Sequence, residues 1–363
     1  MEQSLFVNWV NRFFKPLVAK VVEKVNGTKV PVTYLFKEML TKEYSPTLKW
    51  SSLSADYTNV AADVVAMDSS LPLKKRDAIS KADGDIPKLG MKLQLNERTM
   101  TDLGILARTG GQESQLVQKL FADTPKCING VYEVLELMFL QGLSSGVTLI
   151  EDDNVGAGIR IDYGYKSENK FGTSGAVWST SATATPLTDI ELVLEKARQN
   201  GDVITTVMMD TFAFNNFKKT TEVKEAYAGF LGIPIGSGSI LPTPTFSQIN
   251  EFVSSEYGFR IRTVNRTIKT EKNGTRTNIT PWAEGAVVFL TSENVGTLTW
   301  GRLAEMDHPA KQVSYAVADD YILVSKYHKT DPLAEFTSSQ ALALPVINNV
   351  DSIYLLDSKT VQA

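Results

Sequence analysis

The sequence predicts an α+β fold, and three features of its hydrophobic pattern support this prediction. Apolar residues recur at helical spacing in residues 4–25 and again in residues 111–143. Short runs rich in β-branched residues, separated by turn residues, predict strands from residue 147 onward. Residues 57–108 have the pattern of a long two-stranded arm. We therefore expect helices and sheets in separate lobes, with an arm that extends from them.

The composition limits the classes of function. The 363 residues are enough for two or three lobes with their own cores, and the net charge of −4 gives no overall basic field for nucleic acid. A container that another machine loads with DNA stays compatible with that charge. The single cysteine, Cys127, excludes an intrachain disulfide and is interpreted as a small buried hydrophobe. Two histidines and one cysteine make no zinc ligand set, and we expect no cofactor.

Residues 4–25 predict an amphipathic helix. Phe6, Trp9, Phe13 and Leu17 contribute to a wide apolar stripe, and basic residues lie mostly opposite. These basic residues argue against a membrane span or an export signal. Two interpretations stay open: the helix packs on its own domain, or it is a terminal arm that docks on a neighbouring subunit or a co-assembling protein. In the second case the four named residues would form the contact.

The arm in residues 57–108 needs a partner surface. Its predicted first limb is residues 60–67, its polar tip residues 68–77 and its return limb residues 89–95, with a charged, turn-rich segment before the return limb. An isolated hairpin is marginally stable in water, so its apolar face must lie on another surface. A second copy of the protein is the natural candidate. The residues expected to contact that copy are Leu71, Pro72, Lys74, Lys75, Arg76, Lys81 and Lys88.

A long helical segment and several strands follow the arm. Asp123 and Thr124 before Pro125 indicate that a second helix starts inside the helical segment 111–143. Strands are predicted at residues 147–150, 159–163 and 176–178. The acidic run between the first two strands is interpreted as a solvated turn and not as a cation site.

Residues 186–320 predict a compact α/β lobe. Residues 187–189 are expected to cap a helix, and a buried strand over 203–209 should lead into a helix that Asp210 starts and that runs over 211–228. Another helix is predicted over residues 247–255. Because Asn-Gly is the strongest short hairpin signal, Asn273 and Gly274 predict a hairpin, whose limbs are residues 259–264 and 275–279.

The remaining strands are expected to complete a discontinuous sheet. Their predicted ranges are residues 287–290, 296–301, 320–326 and 352–356. The last two should pair with the strands in residues 147–178, so that residues 186–320 would be an insertion between the two halves of one lobe.

No catalytic motif is present in the sequence. His308 and His328 are interpreted as hydrogen-bonded structural groups, and the glycine-rich run at 232–239 lacks the lysine of a phosphate-binding loop. An α/β enzyme that uses residues 186–320 stays an alternative, which a pocket with convergent polar groups would reveal. However, a monomeric enzyme has no use for an unsupported arm. The residues therefore favour a structural protein that assembles.

Five stretches, taken in their order along the chain, carry a family resemblance. They are Leu71-Pro-Leu-Lys-Lys-Arg-Asp77, Ile128-Asn-Gly-Val-Tyr-Glu-Val-Leu-Glu136, residues 189–209, Trp282-Ala-Glu-Gly285 and residues 319–345. In this order they resemble the major capsid proteins of tailed double-stranded DNA phages, specifically the lambda-type coat proteins. The resemblance covers residues 57–358 and leaves the N-terminal helix outside it.

The resemblance implies the Hong Kong 97 phage capsid fold, with a role for each part of the chain. An N-terminal arm would occupy residues 1–56 and an extended hairpin loop residues 57–108. A peripheral domain with a long spine helix would comprise residues 109–185 and 321–363. An axial domain over residues 186–320 would gather around five-fold and six-fold axes.

The resemblance also implies the function and the partners. The protein would self-assemble through pentamers and hexamers into an icosahedral head shell around double-stranded DNA, which it would contact non-specifically. A separate scaffolding protein, a portal and a decoration protein are expected partners, and no membrane is expected. Assembly would take place in the cytoplasm of the bacterial host. A bacterial nanocompartment shell that encloses enzymes has the same fold, and the sequence alone leaves that alternative open.

Overall fold

The structure, a computed structural model, describes residues 3–25, 34–55, 79–108, 113–150, 159–234, 241–272 and 274–362. The chain divides into two compact units. The first unit comprises Met1–Trp50, Asp83–Met138 and Thr297–Val346. The second unit comprises Ser51–Ala82, Phe139–Gly296 and Ile347–Ala363. Each unit therefore combines segments that are far apart in the sequence.

The α-helices are numbered in chain order. They are α1 (Val7–Lys24), α2 (Leu35–Met39), α3 (Glu97–Arg108), α4 (Glu113–Leu120), α5 (Asp123–Ser145), α6 (Pro186–Gln199), α7 (Thr211–Phe217), α8 (Thr221–Phe230), α9 (Phe246–Tyr257) and α10 (Ala304–Asp307). Short 3-10 turns lie at Ser167–Asn169 and Val350–Ser352. No helix in the described ranges is long and apolar enough to cross a membrane.

The strands are numbered in the same way. They are β1 (Leu40–Tyr44), β2 (Lys49–Ala55), β3 (Ile79–Asp85), β4 (Lys88–Leu95), β5 (Val147–Ile150), β6 (Ile159–Asp162), β7 (Lys170–Thr173), β8 (Thr206–Asp210), β9 (Arg260–Val264), β10 (Ile268–Lys272), β11 (Thr275–Ile279), β12 (Ala286–Leu290), β13 (Gly296–Gly301), β14 (Ser314–Ala318), β15 (Ile322–Thr330), β16 (Leu333–Ile347) and β17 (Ile353–Val361).

The sheet of the first unit is built around β16. Its strand order is β1-β13-β16-β15-β14, and β4 also pairs with β16. Because β15 and β4 pair with β16 from residue 335 to residue 341, its backbone groups are satisfied on both sides there. The Ser339 hydroxyl donates to the Cys127 carbonyl at 2.8 Å, and the Ser325 and Ser338 hydroxyls are 2.7 Å apart. These bonds allow a polar strand to be almost wholly buried.

The second unit packs helices on a mixed sheet. Its strand order is β7-β17-β12-β8-β9, in which β7 and β17 are parallel and β8 and β9 are parallel. Trp178, Phe217, Phe289 and Tyr354 belong to one buried core cluster. Asp189 supports this core because its carboxylate accepts the Trp178 Nε1–H at 2.8 Å. The C-terminal strand β17 therefore lies inside the second unit.

The structure corrects the predicted arm. The return limb, residues 89–95, is a strand as predicted, but this strand, β4, pairs with β16. The preceding charged segment was expected to be a turn, yet residues 79–85 form β3, which pairs with β2. Alternation indicated a half-buried strand but not its partner. The predicted first limb, residues 60–67, lies outside the described residues.

The predicted Asn-Gly hairpin has a different first limb. Gly274 has φ +78, as a tight hairpin turn requires, and β11 covers the predicted second limb. Its partner is β10, whose Lys272 faces Thr275, and not residues 259–264. Those residues form β9, which is parallel to β8. A two-residue turn pairs the strand that immediately precedes it, so β10 was the geometrically required partner.

Several other predictions were partly wrong. Both late strands were expected to pair with the predicted strands in residues 147–178. Strand β15 pairs instead with β14 and β16, β17 pairs with β7, which was not predicted, and β5 and β6 pair with each other. Residues 176–178 are not a strand. The helix predicted over 211–228 is divided into α7 and α8, because Thr220 is extended with ψ 151. By contrast, α9 and β12 agree closely with the prediction.

Candidate assembly surfaces

Helix α1 packs on its own unit through one face. Val10, Phe14 and Val18, spaced four residues apart, are at most 2% exposed. The Phe14 ring stacks on the Phe121 ring with a centroid distance of 6.2 Å, and α1 lies against β14. The interpretation that the N-terminal helix packs on its own domain therefore holds for this face.

The predicted contact residues of α1 lie beside that face. Phe6, Trp9, Phe13 and Leu17 are half-buried in the single subunit. The Trp9 and Phe13 rings stack with a centroid distance of 6.1 Å, and the Arg12 guanidinium carbon is 4.8 Å from the Phe13 centroid. These four residues form a partly accessible apolar stripe, which we call the α1 stripe. Its role in binding another chain stays a prediction.

Polar groups of the sheet hold the segment before α1. His328 and Glu335 face each other on β15 and β16. The His328 imidazole contacts the Gln3 carbonyl through Nδ1, and the Glu335 carboxylate accepts the Leu5 N–H at 3.4 Å. The interpretation of His328 as a hydrogen-bonded structural group is confirmed.

In the predicted arm range, residues 57–108, the described residues form β3, β4 and the helix α3, so its last part is a helix and not a strand. The base of the arm is the pair of β3 with β2, which lies just before the predicted range. Trp50 in β2 is 5% exposed, and a Cβ on Gly84 would lie 2.9 Å from its Nε1, so glycine allows this close approach. Five predicted contact residues of the arm lie outside the described residues: Leu71, Pro72, Lys74, Lys75 and Arg76. Lys81 lies in β3, where its side chain is not described, and Lys88 is exposed at the start of β4.

A carboxylate network joins distant segments of the first unit. Asp319 lies in the turn between β14 and β15 and accepts hydrogen bonds from Lys37, from Lys42 at 2.6 Å and from the Tyr132 hydroxyl at 3.1 Å. The Lys37 ammonium also lies 4.0 Å from the Tyr132 ring centroid, as in a cation–π contact. Asp319 therefore fixes the segment after α1 against α5 and the sheet.

Burial and neighbouring charges shift the pKa values of the residues in this network. Burial alone would raise the pKa of Asp319, but hydrogen bonds and charges from Lys37 and Lys42 outweigh it and lower the pKa. The two lysines differ, because burial lowers the pKa of Lys37 whereas the carboxylates of Asp319 and Asp320 overcome the burial of Lys42 and raise its pKa. Burial and the charge of Asp319 raise the pKa of Tyr132. The lowered pKa of Asp319 and the raised pKa of Lys42 therefore make this pair a salt bridge between charged groups at neutral pH.

Two glutamates, one buried and one half-buried, satisfy helix starts in ways that sequence reasoning missed. Glu136 of α5 is fully buried and accepts the N–H groups of Leu35 and Phe36, both at 3.1 Å, at the start of α2. In the second unit, Glu222 of α8 accepts the Leu187 N–H at 2.7 Å at the start of α6. Their partners are about 100 and 35 residues away, so no local spacing signal could have revealed them.

The described residues hold no evident reaction centre. Among them, no group of three or more His, Cys, Asp or Glu side chains could bind a metal ion. Cys127 is fully buried, as predicted, and burial raises the pKa of its thiol to about 12, so the thiolate is scarce at neutral pH. The buried Lys326 ammonium is satisfied by the Leu120 carbonyl and the Thr337 hydroxyl, both at 3.1 Å.

The known proteins that this chain resembles include proteins of phages and prophages. The family model described as phage major capsid protein E matches residues 18–357. A protein of Escherichia coli CFT073 assigned as a prophage capsid protein is similar in structure, with a TM-score of 0.57 and 12% identity over 94% of this chain and 98% of that chain. A phage-related protein of Bordetella bronchiseptica RB50 has a TM-score of 0.51 and 12% identity over 96% of this chain and 97% of that chain. No match was found among curated proteins.

Proposed function

Because the chain belongs to the phage major capsid protein E family, we propose that it assembles through rings of five and six copies into an icosahedral phage head shell. The family match over residues 18–357 carries this proposal. The capsid family, the Hong Kong 97-like fold and the role as a major capsid protein agree with the predictions from the sequence, which are confirmed. The viral shell is therefore better supported than a nanocompartment shell.

Assembly is the physical mechanism of such a protein. Each copy contacts its neighbours through different surfaces, and contacts of this kind close into rings when the rotation between copies fits. Individual contacts can be weak because each copy makes several of them at once. We propose the arm that β2 and β3 begin, and the α1 stripe, as two of these contact surfaces. The arm has a paired base, and the α1 stripe is apolar and only half-buried.

Roles of the two units are part of the proposal. The second unit, with its mixed sheet and helices, would be the axial domain that gathers around ring axes, and the first unit with most of α5 would be the peripheral domain. The predicted axial range, residues 186–320, overlaps the second unit over residues 186–296, but residues 139–185 and 347–363, which were predicted to be peripheral, also belong to the second unit. Family membership supports these roles, and a shell with labelled units would test them.

The proposed partners follow from the same function. They are further copies of this chain, a scaffolding protein, a portal, a decoration protein and packaged double-stranded DNA. Assembly in the cytoplasm of the bacterial host and the absence of catalytic activity also belong to the proposal. The family assignment supports a structural role.

Shortening the arm tests the proposal. Residues 56–78 are replaced by a short Asn-Gly turn, which keeps the paired base of β2 and β3. We expect the subunit to unfold at an unchanged denaturant concentration but to form no closed shells, because the partner contact is lost. Size-exclusion chromatography and negative-stain microscopy compare both chains, with and without a crowding agent. Closed shells of the shortened chain would refute the role of the arm, and a wild-type chain that never forms rings, tubes or shells would count against self-assembly.

A further inference from the structure

The hairpin of β10 and β11 is an exposed arm of the second unit. Its strands form a two-stranded sheet of their own, and every residue of β11 is exposed. The Thr270 and Thr277 hydroxyls lie 2.9 Å apart across the strands. A hairpin without further support is marginally stable in water. A second surface that covers one of its faces would therefore stabilise it.

The hairpin region is basic in an otherwise acidic chain. Residues 260–279 contain a single acidic residue, Glu271, against six basic ones, whereas the whole chain has a net charge of −4. The basic residues are Arg260, Arg262, Arg266, Lys269, Lys272 and Arg276. Glu271 pairs with Arg276 across the strands at 2.7 Å. The surface that covers the hairpin should therefore be acidic.

An apolar groove with an acidic rim lies between α8 and α9 of the same unit. It has a volume of about 330 Å³, and Gly229, Phe230, Phe252 and Tyr257 contribute to its lining together with Glu256. Phe230 is 37% exposed. The Tyr257 hydroxyl donates to the Glu191 carboxylate at 3.0 Å. Burial and the carboxylates of Glu191, Glu222 and Glu256 raise the pKa of Tyr257, which shows that acidic groups surround it.

The hairpin and the groove lie toward opposite ends of β9. Helix α9, which borders the groove, ends at Tyr257 just before β9 begins at Arg260, and β9 ends at Val264 before the hairpin. At about 3.3 Å per residue, β9 alone separates its two ends by about 13 Å. This separation favours contact between the hairpin of one copy and the groove of another copy.

We propose that the β10–β11 hairpin of one copy docks in the α8–α9 groove of the next copy around a ring. The inference rests on the proposed assembly function and names one of its interfaces. Because the contact joins two different surfaces, it is of the kind that closes rings. Alternation places Thr270, Lys272, Thr277 and Ile279 on one face of the hairpin, and Ile279 is 40% exposed. Ile279 and the threonine methyl groups cover the groove floor, and Lys272 on the same face reaches the Glu256 carboxylate.

Cysteine pairing tests the contact directly. Thr277→Cys and Gly229→Cys are introduced together, since Thr277 is exposed and a Cβ at Gly229 meets nothing within 4 Å. The native Cys127 is buried and does not compete. Mild oxidation should give a ladder of disulfide-linked copies on a non-reducing gel. Each single variant should stop at a dimer, and Lys119→Cys with Gly229→Cys, which uses an exposed lysine of α4, should give no ladder.

Charge reversal provides a second test that keeps the groove intact. Lys272→Glu, or Glu256→Lys, should each reduce the ring fraction at least tenfold at low salt. The two changes combined should restore rings, and Lys119→Glu should have no effect. Unfolding midpoints measured in parallel identify any variant that fails to fold. In that case the cysteine ladder decides whether the hairpin of one copy contacts the groove of another.

The outcomes separate this inference from the proposed function. If wild-type rings form but the ladder is absent and the reversals have no effect, the docking inference is wrong and assembly stands. If Lys272→Glu weakens binding to a duplex DNA probe and leaves the rings unchanged, the hairpin binds nucleic acid and the inference is also wrong. If the wild-type chain makes no rings at all and no ladder forms, both proposals fail.

Discussion

Asp319 illustrates how a single residue can join parts of the chain that are far apart. It occupies a tight turn with φ +54, and its neighbour Asp320 has φ +73, a conformation that aspartate tolerates better than most residues. In that position the Asp319 carboxylate reaches Lys37, Lys42 and Tyr132. The turn and the network therefore depend on the same side chain.

Replacing this carboxylate should weaken the first unit in a pH-dependent way. Asp319→Asn keeps a residue that accepts positive φ but removes the charge, and we expect a loss of about 2–4 kcal/mol at pH 7. The pKa of Asp319 is lowered in the folded state, so its contribution is present above the unfolded pKa of about 3.9 and is lost as pH falls through the folded pKa. Urea unfolding of both proteins at pH 7 and at pH 3 measures the difference. A gap of equal size at both pH values would contradict this explanation.

At the scale of single elements, α1 allows effects on stability and on assembly to be measured separately, because one of its faces is buried and the α1 stripe is half-buried. Phe14 is 1% exposed, so Phe14→Ala should lower the free energy of unfolding by about 3–5 kcal/mol. Trp9→Ala, on the half-buried α1 stripe, should cost much less stability but reduce shell formation. Urea unfolding and negative-stain counts of shells distinguish the two effects. Normal shells from a folded Trp9→Ala variant would exclude Trp9 from the subunit contact.

Most elements of the second unit could be predicted from local sequence. The strand β12 and the helix α9, with its Thr245 capping box, have strong local signals. Asp210 starts α7 as predicted, because its carboxylate accepts the Ala213 N–H at 2.8 Å. In these cases the determining contacts lie within a few residues.

Elements that depend on distant contacts could not be predicted. The long strand β16 was missed, since it contains the polar run Thr337-Ser-Ser-Gln340 and a proline at 345. It is buried only because β4 and β15 satisfy its backbone from both sides. Dependence on distant contacts also limited what could be predicted about the candidate surfaces. The sequence identified the α1 stripe, but it gave no sign of the Asp319 network, whose members are up to 282 residues apart.

At the scale of the whole molecule, each unit depends on chain segments from both halves. In the second unit, β17 lies between β7 and β12. Deleting residues 353–363 should therefore remove the second unit's cooperative unfolding and make it sensitive to protease, because two strands lose their partner. A control cut after residue 361 should leave the unit resistant. Limited proteolysis followed by mass spectrometry measures both, and a protease-resistant second unit without β17 would contradict this dependence.

The position of β17 also has a consequence for synthesis on the ribosome. The first unit needs residues up to 346 and the second unit needs β17, which ends at Val361. A nascent chain that ends before residue 347 completes neither sheet, and one that ends before residue 361 still lacks part of the second sheet. Neighbouring ribosomes on one message therefore carry incomplete subunits, which are poor partners for each other. Translation itself thus delays coat assembly until residue 361 has been made.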